Sequence, residues 1–210
     1  MSTAVARTRT SQVERTRMAK EALLRAALEL IAERGYANLT VADVCMRAGY
    51  SRGIVTYHFS SKAALVEDLL DEVFQKGLHM YGADEGTTPI GLDGLNAMID
   101  SFLVGVRQDP TAIRGYSRLI LEGLSSADGE LADRLRLYSR SVRTMIERPI
   151  RRGVEEGLLK PNLDVSAHAA ALYGALRGIS YQWLLDPDFD VVAALLALKA
   201  LVASLATEPQ

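Results

Sequence analysis

Residues 40–59, TVADVCMRAGYSRGIVTYHF, constrain the fold of this chain more than any other stretch. Apolar side chains recur there at helical spacing, and Gly49 interrupts them where a tight turn needs a residue that tolerates positive φ. The pattern predicts two short helices, residues 41–48 and 51–59, crossing over a shared core as a helix-turn-helix. The side chains expected to point inward together are Val41, Val44, Ala48, Val55 and Phe59.

The remainder of the chain is also predicted to be helical. Apolar residues recur at intervals of three and four, and no alternating run bounded by hairpin turns occurs. We therefore predict an all-α fold of about nine helices. The predicted helices span residues 13–34, 41–48, 51–59, 62–80, 92–108, 111–124, 130–156, 165–185 and 190–206.

Charge is distributed unevenly along the chain. Residues 1–62 carry ten Lys/Arg and five Asp/Glu, or about +5, whereas the other 148 residues carry about −7, so that the formal net charge is −2. A basic end joined to an acidic body indicates a polyanion partner for that end only, and the alternative is chance clustering of charge on a solvated face. Residues 1–12 are predicted to be a disordered basic arm, with Arg7 and Arg9 either following a minor groove or serving no role.

The second helix of the helix-turn-helix is the predicted reading element for DNA. In such units its N-terminal half meets base edges in the major groove, while helix N-termini and basic side chains contact phosphates. Thr40 and Lys62 lie at two neighbouring helix N-termini, where they are expected to meet the backbone on either side. The predicted DNA contacts are Thr40, Ser51, Arg52, Gly53, Ile54, Thr56, Tyr57, His58 and Lys62. A role for His58 as a metal ligand is disfavoured, because no second ligand is spaced near it.

This region resembles the DNA-binding domain of TetR-type transcriptional regulators. The residues that carry the resemblance are Gly35, Thr40, Val44, Ala48, Gly49, Ser51, Gly53, Val55, His58, Phe59, Lys62 and Leu65. The resemblance implies an all-helical homodimer with a three-helix N-terminal domain on a palindromic operator and a divergent C-terminal domain that binds a small molecule. Two positions depart from the family's pattern, Thr56 in place of Tyr and Cys45 in place of Ala, and the first leaves the operator sequence open.

The domains follow from a Gly/Thr/Pro-rich stretch, residues 81–91, which marks the predicted boundary. Residues 13–80 are assigned to the DNA-binding domain, with its helix-turn-helix motif at 40–59, and residues 81–210 to a helical ligand-binding and dimerisation domain.

The last two predicted helices carry apolar stripes that favour pairing with a second copy in a four-helix arrangement. Small residues on an adjoining face of the first helix would let helix axes approach closely. The alternative is that the stripes only close the core of one subunit. The stripes consist of Leu172, Leu176, Ile179 and Trp183, then Val191, Leu195, Leu198, Val202 and Leu205.

The middle helices offer a candidate ligand pocket of apolar and aromatic side chains with a few polar groups. The predicted lining is Phe102, Tyr116, Leu119, Ile120, Tyr138, Met145, His168 and Trp183, with Arg114, Arg118 and Arg143 as further polar candidates. Each of these residues could equally belong to the core.

Other functional classes find little support in the sequence. Residues 49–53 match G-x-S-x-G, but a hydrolase elbow needs a preceding strand, and a helix is predicted there. Asp164 and His168 have metal-binding spacing without a third ligand, so that helix capping is favoured. No enzyme activity, cofactor or metal is expected. The single cysteine, the lack of an N-terminal apolar segment and the lack of a membrane-spanning run predict a cytoplasmic protein.

These observations favour a transcriptional regulator, a repressor that a small-molecule effector releases from its operator. The alternative is a helical DNA-binding protein without an effector that acts architecturally.

Overall fold

The computed structural model describes residues 12–80, 89–124 and 129–207, and for residues 73–80 and 124 it describes the backbone only. Within these ranges the protein forms nine α-helices and no strand, so the predicted all-α class is confirmed. The helices are α1 (Gln12–Arg34), α2 (Val41–Ala48), α3 (Arg52–His58), α4 (Lys62–Met80), α5 (Gly91–Gln108), α6 (Pro110–Leu124), α7 (Gly129–Glu155), α8 (Val165–Leu185) and α9 (Val191–Ala203). The predicted arm lies outside the described residues except for Gln12, which is helical and begins α1, and most of the predicted domain boundary also lies outside them.

Helix ends match the predicted ends closely except at the last helix. We expected it to continue to residue 206, but α9 ends at Ala203. The following residues pair instead with the segment after α7: Lys160 N donates to Leu205 O at 3.1 Å, and Leu159 forms a bridge with Ala206. This pairing satisfies backbone groups that a longer helix would have used internally.

Two clusters of buried apolar side chains hold the fold together. The first joins α1–α4 to residues of α6 and α7, among them Leu119 and Leu131. The second joins α5, α7, α8 and α9 around Leu95, Ile146 and Leu195. The N-terminal helices therefore share their core with the C-terminal body.

Helix α6 is the element that links the two parts. A Cβ on Gly115 would lie 2.5 Å from the carbonyl oxygen of Leu28, so α6 and α1 touch backbone to backbone at this point. The residues on the adjoining face of α6 point toward the second part of the protein, where they help to line a cavity.

Candidate DNA-binding surface and ligand cavity

The helix-turn-helix is fixed by caps at both ends of α2. The Thr40 side chain accepts a hydrogen bond from Asp43 N at 3.2 Å, which satisfies a free amide of the first turn. At the other end Gly49 has φ 72°, and its N–H closes the helix on the carbonyl oxygens of Cys45 and Met46. Only glycine adopts this conformation without strain, so the turn into α3 depends on it.

Two buried side chains set the orientation of α3. Val55 is fully buried and Phe59 nearly so, in the same cluster as Val44, as the inward pattern predicted. The opposite face is open to solvent, and Tyr57 is the most prominent side chain on it at 77% exposure. The other exposed residues of this surface are Thr40, Ser51, Arg52, Gly53, Ile54 and Thr56.

Polar groups on α3 have defined local partners. The Thr56 hydroxyl donates to Arg52 O at 3.0 Å within the helix. His58 is half-buried with its ring edge-on to Tyr57, and burial together with the nearby Lys20 lowers its pKa below the ordinary value, while Asp68 opposes the shift. His58 is therefore neutral near pH 7, and a phosphate contact from it would be a neutral hydrogen bond.

Lys62 is bound to backbone within the protein. Its Nζ donates to Tyr36 O at 2.6 Å and lies 3.9 Å from the centroid of the Tyr36 ring. The lysine thus fastens the start of α4 to the connector between α1 and α2. Its predicted contact with a DNA phosphate stays a prediction, and the structure adds a role that the sequence did not suggest.

Most of the described cations of the N-terminal helices have acidic partners. The excess of about +5 in residues 1–62 is therefore not a broadly basic surface. The described pairs are Arg17 with Glu14 and Glu21, Lys20 with Asp68, Arg25 with Glu29 and Asp109, Arg34 with Asp43, and Arg47 with Glu29 and Glu33. Arg52 has no acidic partner among the residues that the structure describes, and it stands at the first position of α3. Within the described part of the chain, Arg52 therefore places a positive charge without an acidic partner beside the exposed face of α3.

A cavity of about 350 Å³ lies between α5, α6, α7 and α8. Its wall is mainly apolar and includes five of the predicted ligand-binding residues: Phe102, Tyr116, Ile120, Tyr138 and Met145. A mostly apolar cavity with a few polar groups is the usual form of a small-molecule site. That these five side chains contact a ligand stays a prediction.

Three predicted lining residues lie elsewhere. Leu119 is fully buried on the face of α6 that packs in the N-terminal cluster. The His168 ring, in the first turn of α8, is 2.6 Å from Asp164 O. Trp183 packs in the second cluster with the Arg114 guanidinium 4.8 Å from its ring.

The further polar candidates are not cavity residues either. Arg114 donates to Trp183 O, and Arg118 is held by α1 and Glu122. Arg143 is absent from the described lining.

The sequence prediction of the lining missed all the α8 residues that the cavity has among those described: Tyr173, Leu176, Arg177 and Ser180. Arg177 is the most informative of them. A sign was available, because Arg177 is the only Asp, Glu, Lys or Arg between Val165 and Leu185. A single charge on an otherwise uncharged helix indicates a specific contact, since ordinary surface helices carry many.

Two polar atoms of the cavity residues lack hydrogen-bond partners within the described part of the chain. Tyr116 Oη and Arg177 Nε are both buried and unpaired. Burial raises the pKa of Tyr116 and of Tyr138, so both phenols are neutral and can donate. Asp109, also in the lining, is already paired with Arg25 at 2.5 Å and accepts from Ala112 N.

Helix α6 contacts α1 along its whole length. At its start Asp109 pairs with Arg25, and in its middle Gly115 meets the backbone of Leu28. Near its end Arg118 donates to Ala32 O at 3.1 Å, and Glu122 accepts from Tyr36 N at 2.7 Å. One face of α6 therefore holds the N-terminal helices while the next face lines the cavity.

The apolar stripes predicted to pair two subunits lie largely inside one. Leu172 and Trp183 of α8 and the α9 residues Val191, Leu195, Leu198 and Val202 are buried in the second cluster, while Leu176, Ile179 and Leu205 pack against it. The stripes therefore close the subunit's own core, which is the alternative reading. A different face remains open. Among the described residues, no atom lies within 4 Å of a Cβ built on Gly174 or Gly178, and Leu196 and Leu201 of α9 are 50% and 69% exposed.

The described residues hold no metal cluster and no membrane-spanning helix. They contain no group of three or more His, Cys, Asp or Glu side chains that could hold a metal ion. They also contain no helix with both the length and the apolar character to cross a membrane.

Two family models together match most of the helices described above. A family model described as "Bacterial regulatory proteins, tetR family" matches residues 23–69, and one described as "BetI-type transcriptional repressor, C-terminal" matches residues 92–207. The chain is 27% identical over 172 residues to the HTH-type transcriptional regulator TtgR of Pseudomonas putida, an alignment that covers 79% of this chain and 80% of TtgR.

Solved structures share the fold at lower identity. The complex of triclosan with SmeT, a Stenotrophomonas maltophilia repressor, superposes with a TM-score of 0.78 at 21% identity, covering 91% of this chain and 93% of SmeT. FadR of Bacillus subtilis in complex with stearoyl-CoA gives a TM-score of 0.75 at 20% identity, covering 89% of this chain and 99% of FadR.

Proposed function

Because the chain belongs to the TetR family of bacterial regulatory proteins and is thus a DNA-binding transcriptional regulator, we propose that it is a repressor released by a small-molecule effector. The single observation that carries the proposal is the double role of α6, which lines a cavity on one face and holds α1 on the next. A ligand that changes the position of α6 would move the DNA-binding helices with it.

We propose that residues 13–80 form the DNA-binding unit and that α3 reads the operator. The exposed Tyr57 supports this assignment, as does Arg52, which has no acidic partner among the described residues. Both project from a helix whose opposite face is buried through Val55 and Phe59. Arg52 is suited to a phosphate or a guanine edge and Tyr57 to the backbone or a base. The Thr56 hydroxyl is bound to its own helix, which leaves its methyl group for apolar contact.

We propose a homodimer formed through α8 and α9, with residues 81–210 serving both dimerisation and ligand binding. The support is the open face around Gly174, Gly178, Leu196 and Leu201, since small residues allow close helix approach and exposed leucines gain from burial. A two-fold axis there would present two copies of α3 to consecutive half-sites of a palindromic operator.

Effector binding would weaken operator affinity by favouring a subunit arrangement in which the two copies of α3 are wrongly spaced. The effector can do this only by binding that arrangement more tightly than the DNA-bound one. Two solved structures of the same fold hold small molecules, triclosan in SmeT and stearoyl-CoA in FadR, which supports a small-molecule effector for this chain. The cavity also weighs against the architectural alternative, which needs no unfilled space.

A gel-shift titration tests the proposal, using DNA from the region upstream of the protein's own gene at moderate salt. We expect specific retardation by the wild-type protein and a loss of affinity in Tyr57→Ala, with Met46→Ala as the control because Met46 is equally exposed on α2. No specific retardation, or equal affinity of all three proteins, would contradict the assignment of α3.

A further inference from the structure

The cavity contains a cation that has no counter-ion among the residues that the structure describes. Arg177 lines the wall from α8, and among residues 12–80, 89–124 and 129–207 no Asp or Glu pairs with its guanidinium. Its defined partners are uncharged phenols: the centroid of the Tyr173 ring lies 5.1 Å from Arg177 Cζ, and the guanidinium is hydrogen-bonded to the side chains of Tyr173 and Tyr138. An aromatic face attracts a cation but does not neutralise it.

Part of the Arg177 guanidinium is left unsatisfied without a ligand. Its Nε is buried and has no hydrogen-bond partner, and burying a charged donor without pairing is among the more costly arrangements in a protein. By contrast, Arg25 and Arg118, which contact the other face of α6, pair with Asp109 and Glu122. Arg177 is thus placed for a group that comes from outside the chain.

A second donor in the same cavity also lacks a partner. Tyr116 Oη is buried and unpaired, and its phenol is neutral. The one carboxylate in the lining, Asp109, is held by Arg25 and by Ala112 N, so it is not available to a cationic ligand. Two donors of the described lining, Tyr116 Oη and Arg177 Nε, therefore lack an acceptor, and no free carboxylate stands opposite them.

The remaining wall fits an apolar body of modest size. Phe102, Ile113, Met145 and Leu176 contribute aromatic, branched and flexible apolar surface. A volume of about 350 Å³ is at the lower end for ligand sites and suits one or two fused or linked rings better than a long conjugate.

We propose that the effector is an organic monoanion, an aryl carboxylate or a close analogue, whose acid group pairs with Arg177 and accepts from Tyr116 while its rings fill the apolar wall. This inference rests on the proposed function, since it names the class of effector for the same cavity. Guanidinium and carboxylate match in geometry as well as charge, which makes the pair selective against neutral analogues.

Isothermal calorimetry on the DNA-free full-length protein tests the proposal with para-biphenylcarboxylate and its neutral isostere para-biphenylcarboxamide. We expect the acid to bind about ten- to hundredfold more tightly, the range for a hydrogen-bonded charge pair. Arg177→Met should remove this preference, and Arg177→Lys should keep part of it. The matched control is Arg107→Met, which removes a charge from the exposed side of α5 and should leave the preference unchanged.

Equal affinity for acid and amide, or binding of neither, would overturn the proposal. So would a preference that persists in Arg177→Met, with circular dichroism used to establish that each variant is folded. Failure of the proposed function is separable: acid binding at Arg177 without operator release in a gel shift supports the ligand class and contradicts effector-controlled repression.

Discussion

Replacing Lys62 by Met removes an ammonium that the structure shows bound to the connector between α1 and α2. The lost interactions are a charge-assisted hydrogen bond to Tyr36 O at 2.6 Å and a cation–π contact at 3.9 Å. Such a hydrogen bond contributes about 1.5–3 kcal/mol, and an exposed cation–π contact about 0.5–1 kcal/mol. Because Lys62 is half-exposed and water can replace part of both, we expect a loss of about 2 kcal/mol in the free energy of unfolding.

Urea unfolding at fixed protein concentration measures this loss, since the stability of an oligomer depends on concentration. Lys20→Met is the matched control: its lysine forms a surface ion pair with Asp68 at 2.7 Å, and such pairs contribute under about 1 kcal/mol. A change below about 0.5 kcal/mol in Lys62→Met would refute the clamping role. The salt dependence of operator binding tests the phosphate contact separately, because losing one contact reduces the slope by about 0.9.

Three further outcomes follow from single positions. Gly174→Leu and Gly178→Leu add bulk where one subunit has open space, so light scattering should find monomers with an unchanged helical spectrum, and persistent dimers would contradict the α8 interface. Gly115→Ala places a Cβ 2.5 Å from Leu28 O; overpacking costs about 1–3 kcal/mol against a helix-propensity gain of about 1 kcal/mol, so urea unfolding should detect no stabilisation. The lowered pKa of His58 means that the unfolded chain binds a proton first as pH falls below about 6.5. Stability should therefore be fully present above that pH and fall as pH drops through the folded pKa, and a His58→Gln variant with the same pH dependence would contradict this origin.

The helix-turn-helix was predictable because its determinants are local. Gly49 marks the turn, Thr40 the cap, and the spacing of Val44, Val55 and Phe59 fixes which side faces inward. Each of these features acts over a few residues, so a single sequence contains them in full. The same locality explains why most helix ends were predicted within a residue or two.

The cavity lining was only partly predictable, because the spacing of apolar residues on a helix does not show which other helix each side chain packs against. Leu119 and Ile120 are adjacent on α6, yet Leu119 packs wholly in the N-terminal cluster whereas Ile120 also reaches the cavity wall. Which face meets which partner depends on how α6 crosses α1 and α8, and this is a property of the assembled fold. The interpretation of the α8 and α9 stripes failed for the same reason. Side chains buried within a subunit and side chains buried between subunits give the same apolar pattern in the sequence.

The charge count of a segment was the sequence feature that predicted the structure least well. The excess of about +5 in residues 1–62 suggested a broadly basic surface, but Arg25 pairs with Asp109, which is 84 positions away. Local composition cannot anticipate such a pair. Among the described residues, two cations without an acidic partner bear on the proposed functions: Arg52 beside the exposed face of α3 and Arg177 in the cavity wall.

The central claim is that an occupied cavity lowers operator affinity through α6. It is tested most directly by the operator dissociation constant of the wild-type protein, measured with the cavity empty and then saturated by a ligand that calorimetry assigns to Arg177. We expect saturation to weaken operator binding by about fivefold or more, and the operator to weaken ligand binding by the same factor. An unchanged operator dissociation constant with the cavity filled would contradict it.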